Sequence, residues 1–219
     1  MGIIVVNTKA YEEAIGEKAL EIAKIMEEIG KKYGIEMAIA VQPSDIYLIS
    51  SKTSIKVFSQ HIDAIENGAY TGFISPIAVK RAGACGSLLN HSEHRMKIED
   101  IAKCIEISRK VGLISVVCAS NLSVTKSIAC LNPDYVAVEP PELIGGDISV
   151  TEAKPEVIEK AVEIVKSQGS KILCGAGIKK ARDVEKAVLM GVDGILVASG
   201  VVKAKDKEKI LEEFAKAMT

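Results

Sequence analysis

The sequence predicts one α/β domain over residues 1–219, closed into a (β/α)8 barrel. Three observations carry that expectation. Eight short, β-branched apolar runs alternate with longer stretches whose apolar residues recur every three and four positions. The short runs are nearly continuously apolar, as parallel strands covered on both faces are. The eight units fill 219 residues, and such barrels run about 200–250 residues as one unit. No linker, low-complexity run or composition break divides them. An open doubly wound sheet is the alternative, but it expects a G-x-G-x-x-G turn after its first strand, and "VVNTKAY" has none.

In chain order, the predicted strands are "IIVV" (3–6), "MAIAV" (37–41), "IKVFS" (55–59), "SLLN" (87–90), "ISVVCA" (114–119), "YVAVE" (135–139), "KILCG" (171–175) and "GILVA" (194–198). Helical periodicity covers 10–33 after the first, 97–111 after the fourth, 151–168 after the sixth, 181–190 after the seventh and 207–218 after the eighth. Pro155 falls near a helix start, where its missing N–H costs little. The segments after strands 2 and 5 are shorter, and the one after strand 3 reads as mostly loop.

Composition excludes several function classes. With 28 Lys+Arg against 29 Asp+Glu the formal charge is -1, so there is no electrostatic case for a nucleic-acid or membrane-surface partner, although a local anion site is compatible with it. No apolar run reaches the ~18 residues that span a bilayer. "MGIIVVNTKAYEE" lacks the basic lead and long apolar core of a signal peptide, and Val6 breaks the myristoylation pattern. Five scattered cysteines without C-x-x-C read as buried reduced thiols of a cytoplasmic protein rather than a disulfide or zinc scaffold.

Barrel chemistry sits past the C-terminal ends of the strands, and there the chain places Asn7 and Lys9, Gln60, Asn90 and His91, and Glu139. Gly-rich turns at 144–147, 174–177 and 198–200 follow the last three strands and suit an anion cradle of backbone N–H groups. A lysine after a strand is ordinarily solvated, and glycine turns can be plain helix caps. Glu139 resists such a reading, because it ends an apolar strand and precedes two prolines. At a barrel mouth its carboxyl is partly desolvated, with a raised pKa, as a general base near neutrality requires.

His91 and His94 are spaced i and i+3 in "LLNHSEHR". Helical zinc pairs use i and i+4, and no third ligand stands near. Ser92 and Glu93 are residue types of a helix start, so His91 is expected at the positive end of a helix, where the dipole disfavours imidazolium. His94, a turn further on, reads as solvated.

Six stretches, in order and over the whole chain, resemble the triosephosphate isomerase family. "NTK" (7–9) is similar to its Asn-x-Lys, "SQH" (59–61) to A-Q-N, "AYTGF" (69–73) to the A-F-T-G-E interface loop, and "NHSEHR" (90–95) to G-H-S-E-R-R. "AVEP" (137–140) resembles A-Y-E-P, and "PELIGGD" follows where the family's phosphate-gripping loop lies. The short length and lack of tryptophan resemble the compact archaeal branch.

The resemblance implies a TIM barrel with Lys9 as the fixed cation, Asn7 beside it, His91 as neutral electrophile, Glu139 as base and Glu93 as a supporting acid. It implies substrate contacts from Ile144 and Gly145 on the closing loop, and from Gly175, Ala198 and Ser199. It implies Thr71 reaching into a neighbouring subunit. This family is itself the reference case for a neutral catalytic histidine and for loop exclusion of water, so that pattern comes with the resemblance. Asn90 stands for a glycine, His94 for an arginine, "PPE" for Pro-x-Trp, and Ala198–Ser199 for a Gly-Gly pair.

The expected activity is interconversion of glyceraldehyde 3-phosphate and dihydroxyacetone phosphate, a step of glycolysis and gluconeogenesis. It needs no metal or coenzyme, and the protein is expected to be a cytoplasmic homodimer or homotetramer. A sugar-phosphate epimerase is one rival, but its metal-dependent forms need a His/Asp cluster at the mouth. A non-catalytic barrel is the other, and it expects Lys9, His91 or Glu139 to have been replaced.

Overall fold

In the computed structural model of the chain, which describes residues 2–143 and 149–219, eight parallel strands close into a barrel in sequence order. They are β1 (Ile3–Asn7), β2 (Glu36–Val41), β3 (Lys56–Ser59), β4 (Gly86–Leu89), β5 (Ile114–Ala119), β6 (Tyr135–Val138), β7 (Lys171–Gly175) and β8 (Gly194–Val197). β8 returns to pair with β1, Ile3 opposite Gly194 and Val6 opposite Val197, so no edge is left open. Every predicted strand is present, with each end within one residue.

Side chains alternate across each strand. Inward positions build the barrel interior from Ile3, Val5, Ala38, Ala40, Phe58, Leu88, Val116, Ala137, Leu173 and Leu196. Outward ones, such as Ile4, Val6, Ile39, Val117, Val136 and Ile195, meet the apolar faces of the helices in a larger cluster. Small Ala38, Ala40 and Ala137 make room for Phe58 and Leu88, so the interior is filled and is no pore. Continuing the inward parity one step past the filled layer reaches Asn7, Gln42, Gln60, Asn90, Glu139, Gly175 and Ala198. The mouth is therefore set by the same two-residue period that builds the core.

The longer helices follow the predicted pattern: α1 (Glu17–Tyr33), α4 (Ile98–Val111), α7 (Pro155–Ser167), α8 (Ala181–Leu189) and α10 (Lys207–Met218). Short helices add to them: α2 (Ile46–Ser50), α3 (Pro76–Arg81), α5 (Leu122–Ala129), α6 (Val150–Ala153) and α9 (Ser199–Val202). Two expectations are corrected. The 10–33 helix starts only at Glu17, because Gly16 sits at φ +61 and donates its N–H to Asp45. The 151–168 helix breaks at Lys154, whose backbone (φ -145, ψ 56) is pushed out of the helical region by Pro155. The segment after β3 is mostly loop, as expected, apart from the short α3, which Pro76 opens and where the Ser75 hydroxyl accepts the Ala78 N–H. Of the cysteines, Cys104, Cys118 and Cys174 are buried, Cys85 is half-buried, and Cys130 is exposed, contrary to expectation. No helix among the described residues is long and apolar enough to cross a membrane.

Candidate active site

Asn7 begins the site. Its side-chain oxygen accepts the Lys9 N–H at 3.0 Å, and Lys9 adopts φ +51, a left-handed conformation rare for a side-chain-bearing residue. The Lys9 carbonyl accepts from the side-chain amides of Gln60 (2.9 Å) and Gln42 (3.3 Å). These ties offset the strain and direct the lysine into the mouth. Its ammonium pairs with Glu93 at 2.6 Å, the lysine side chain 10% exposed and the glutamate 57%.

His91 follows Asn90, itself left-handed at φ +56. Asn90 donates to the Cys118 carbonyl (2.9 Å) and accepts the Met96 N–H (3.0 Å), while Arg95 donates to the Asn90 carbonyl (2.9 Å). These bonds hold 90–96 as a loop, and α4 starts at Ile98. The expected helix start at Ser92–Glu93 is thus corrected: side-chain-to-backbone bonds outcompete it. His91 is not placed at a helix terminus. Instead the Glu93 N–H donates to its Nδ1 at 3.2 Å, which leaves Nε2 as the nitrogen that carries the ring proton.

Nε2 lies 3.7 Å from Oε2 of Glu139. Glu139 ends the inward row of β6, tied by its N–H to the Ala119 carbonyl at 2.8 Å. It is buried, and Oε2 meets no hydrogen-bond partner among the described residues. Burial pushes its carboxyl above the usual range, against the opposing pull of His91, the Cys118 thiol and Lys9. A buried carboxylate oxygen without a donor is costly unless something uses it.

Asn7, Lys9, His91 and Glu139 line one cleft with the turns after β7 and β8, residues 176–179 and 198–200. Ser199 is the first residue of α9, and Gly200 packs so closely that a Cβ there would stand 2.7 Å from the Ile178 carbonyl. Among the described residues, the N–H groups of Gly177, Ile178, Ser199 and Gly200 find no protein acceptor. Four free donors on one wall and an ammonium on another suit a doubly charged oxyanion.

Gly175 is placed differently from the expected substrate contact. It lies behind Glu139, and a Cβ there would come within 2.6 Å of the carboxylate. Its missing side chain makes room for the buried acid, and Ala176 and Gly177 face the cleft instead. Ile144 and Gly145 lie outside the described residues. Thr71 is exposed on the loop after β3 and is not among the residues that line the cleft. His94 is exposed, but its ring stacks on His61 at 4.1 Å, and His61 reaches Asp63 at 3.2 Å. Sequence reasoning missed Gln42, which inward parity alone could have found; it placed Ala176, Gly177 and Gly200 in the cradle turns without singling them out, and it gave His61 no role. Among the described residues no three His, Cys, Asp or Glu side chains gather to hold a metal ion.

Fold and site together define a (β/α)8-barrel with its polar machinery at the C-terminal mouth and an anion wall after the last two strands. The chain matches the sequence profile described as Triosephosphate isomerase over residues 2–214. Triosephosphate isomerase of Methanothermus fervidus is 48% identical over 218 residues, covering 99% of this chain and 98% of that protein. Its namesake from Methanocaldococcus jannaschii is 47% identical, covering 98% and 99%. That of Sulfolobus acidocaldarius is 47% identical, covering 98% and 94%. The chain belongs to the triosephosphate isomerase family, a family of isomerase enzymes.

Proposed function

We propose that the chain interconverts glyceraldehyde 3-phosphate and dihydroxyacetone phosphate through an enediolate, a reaction of glycolysis and gluconeogenesis in the cytoplasm. The observation that carries this reading is the buried Glu139 carboxylate, its Oε2 without a hydrogen-bond partner among the described residues and 3.7 Å from His91 Nε2, at a mouth that also holds Lys9. Ionised Glu139 takes the proton from the carbon alpha to the aldehyde, and the electron pair moves onto the carbonyl oxygen. The Nε2–H of His91 and the Lys9 ammonium donate to the two oxygens as charge develops, and the hydroxyl proton passes between those oxygens at His91. Glu139 then returns its proton to the adjacent carbon, which gives the ketone. Fixed donors at a developing oxyanion each contribute about 3–4 kcal/mol. The phosphate sits on the N–H groups of residues 177–178 and 199–200. No step asks for a metal ion or coenzyme.

A coupled assay of EDTA-treated protein with glyceraldehyde 3-phosphate tests the reading. Turnover near neutral pH is expected, and none at any working temperature, or turnover only with added metal, overturns it. His91→Ala lowers kcat by about a hundredfold or more, whereas His94→Ala stays near wild type.

The same reading includes self-association as a homodimer or homotetramer. Tyr70 and Phe73, flanking Thr71, are 45% and 54% exposed and meet edge to face at 5.8 Å. The base of their loop is pinned by the Ile74 N–H to Asp63. Such an exposed aromatic pair on a clamped loop fits insertion into a second copy. Light scattering that finds only monomer at micromolar concentration overturns this part.

A further inference from the structure

We propose that Asp183 acts as a positioning residue for phosphate: it holds the left-handed turn at Ala176–Gly177 in the shape that presents its N–H groups to the cleft. The proposal rests on the site reading above and deepens it. Ala176 and Gly177 stand at φ +71 and +72. For glycine that costs little, but for alanine the Cβ crowds the following carbonyl oxygen, and such a conformation persists only where the surroundings over-determine it.

The surroundings converge on one buried carboxylate. Asp183 Oδ2 accepts the N–H groups of Lys179 and Lys180, both at 3.1 Å, which fixes the far end of the turn. Oδ1 accepts the Ser149 hydroxyl at 3.0 Å, and the Thr151 hydroxyl backs Ser149 at 2.9 Å. Ser149 in turn fixes the start of α6, where the Val150 N–H donates to the Ala176 carbonyl at 3.2 Å. Asp183, Ser149, Thr151 and Ala176 are all buried.

An acid three residues into a helix is ordinarily a cap, and Asp183 does serve the start of α8. Capping does not account for the bonds from Lys179 and Ser149, which lie before the helix and on another segment. Those two bonds bracket the strained turn from both sides.

The test is calorimetric titration of inorganic phosphate into wild type, Asp183→Asn, and Asp183→Asn combined with Ala176→Gly. The asparagine amide keeps one neutral accepting oxygen where the carboxylate has two charged ones, so the ties to Lys179, Lys180 and Ser149 weaken together and phosphate binding falls about tenfold. Glycine adopts φ +71 without strain, so the added Ala176→Gly recovers most of the lost affinity, while the melting temperature lowered by the lost cap stays low. If Asp183→Asn does not fold, Ser149→Ala removes only one tie and weakens binding about threefold, again recovered by Ala176→Gly. Unchanged affinity in the variants, a loss that Ala176→Gly does not recover, or a wild type that does not bind phosphate each overturns the proposal. Wild type that binds phosphate yet fails to turn over triose phosphate overturns the isomerase reading alone.

Discussion

At the scale of single residues, Glu139 sets stability against chemistry. Its folded-state pKa is raised by burial, so its contribution favours the fold while the carboxyl is protonated and is lost as pH rises through that raised value. At neutral pH the ionised group is therefore a liability to the fold and an asset to proton abstraction. Glu139→Gln should raise the melting temperature at neutral pH, by about 2–4 °C for each kcal/mol relieved, and the gain should vanish in acid. Turnover should fall by at least about a thousandfold. A variant no more stable than wild type at pH 7–8 sinks the desolvation argument. The acid limb of wild-type kcat/KM should lie above the ordinary carboxylate range near ~4.3. Gly175 gives the companion prediction. With an ordinary φ, Gly175→Ala should fold, but its Cβ would stand 2.6 Å from the Glu139 carboxylate unless that group moves. A displacement of about 1 Å at a reacting group costs on the order of a hundredfold, so steady-state kinetics should show kcat lowered by about that factor.

At the scale of elements, the β4–α4 connection carries the most polar work. Asn90 makes two side-chain bonds and holds a left-handed backbone, so Asn90→Ala should cost about 2–4 kcal/mol by denaturant titration. It should also lower kcat, since His91 is the next residue. The strands were legible in the sequence because a two-residue period and β-branched runs leave little freedom. Glu139, His91, Lys9 and Asn7 were legible because they fall at the ends of those runs or within three residues past them. What the sequence left open depends on bonds between distant segments. The late start of α1 rests on Gly16 reaching Asp45, and the loop at 90–96 on Asn90 reaching Cys118. The space behind Glu139 rests on a missing side chain in the next strand. Helical periodicity reports a buried face, and it is silent about which backbone groups another segment has already claimed.

At the scale of the whole molecule, the closed barrel decides which thiols meet solvent. Cys118 lies inside the barrel, and Cys104 and Cys174 lie between strands and helices. Burial pushes the Cys104 thiol up to about 12 and Cys118 well above the ordinary thiol range. A thiol-specific reagent should label Cys130 fast, Cys85 slowly, and the other three only at the rate of unfolding. Rapid labelling of all five in the native protein would mean the barrel opens far more readily than its packing implies.

The inward parity of the strands has a consequence for how such a chain tolerates change in length. Each strand is read in a frame of two. Deleting one residue from the middle of β6 would send Glu139 to the helix side and bring the apolar outward row to the mouth. The same deletion in the loop between α1 and β2 shifts no frame, because the strand can keep its register with β1 and β3. Lengthening and shortening should therefore be tolerated worst inside the eight short runs, which together make up under a fifth of the chain.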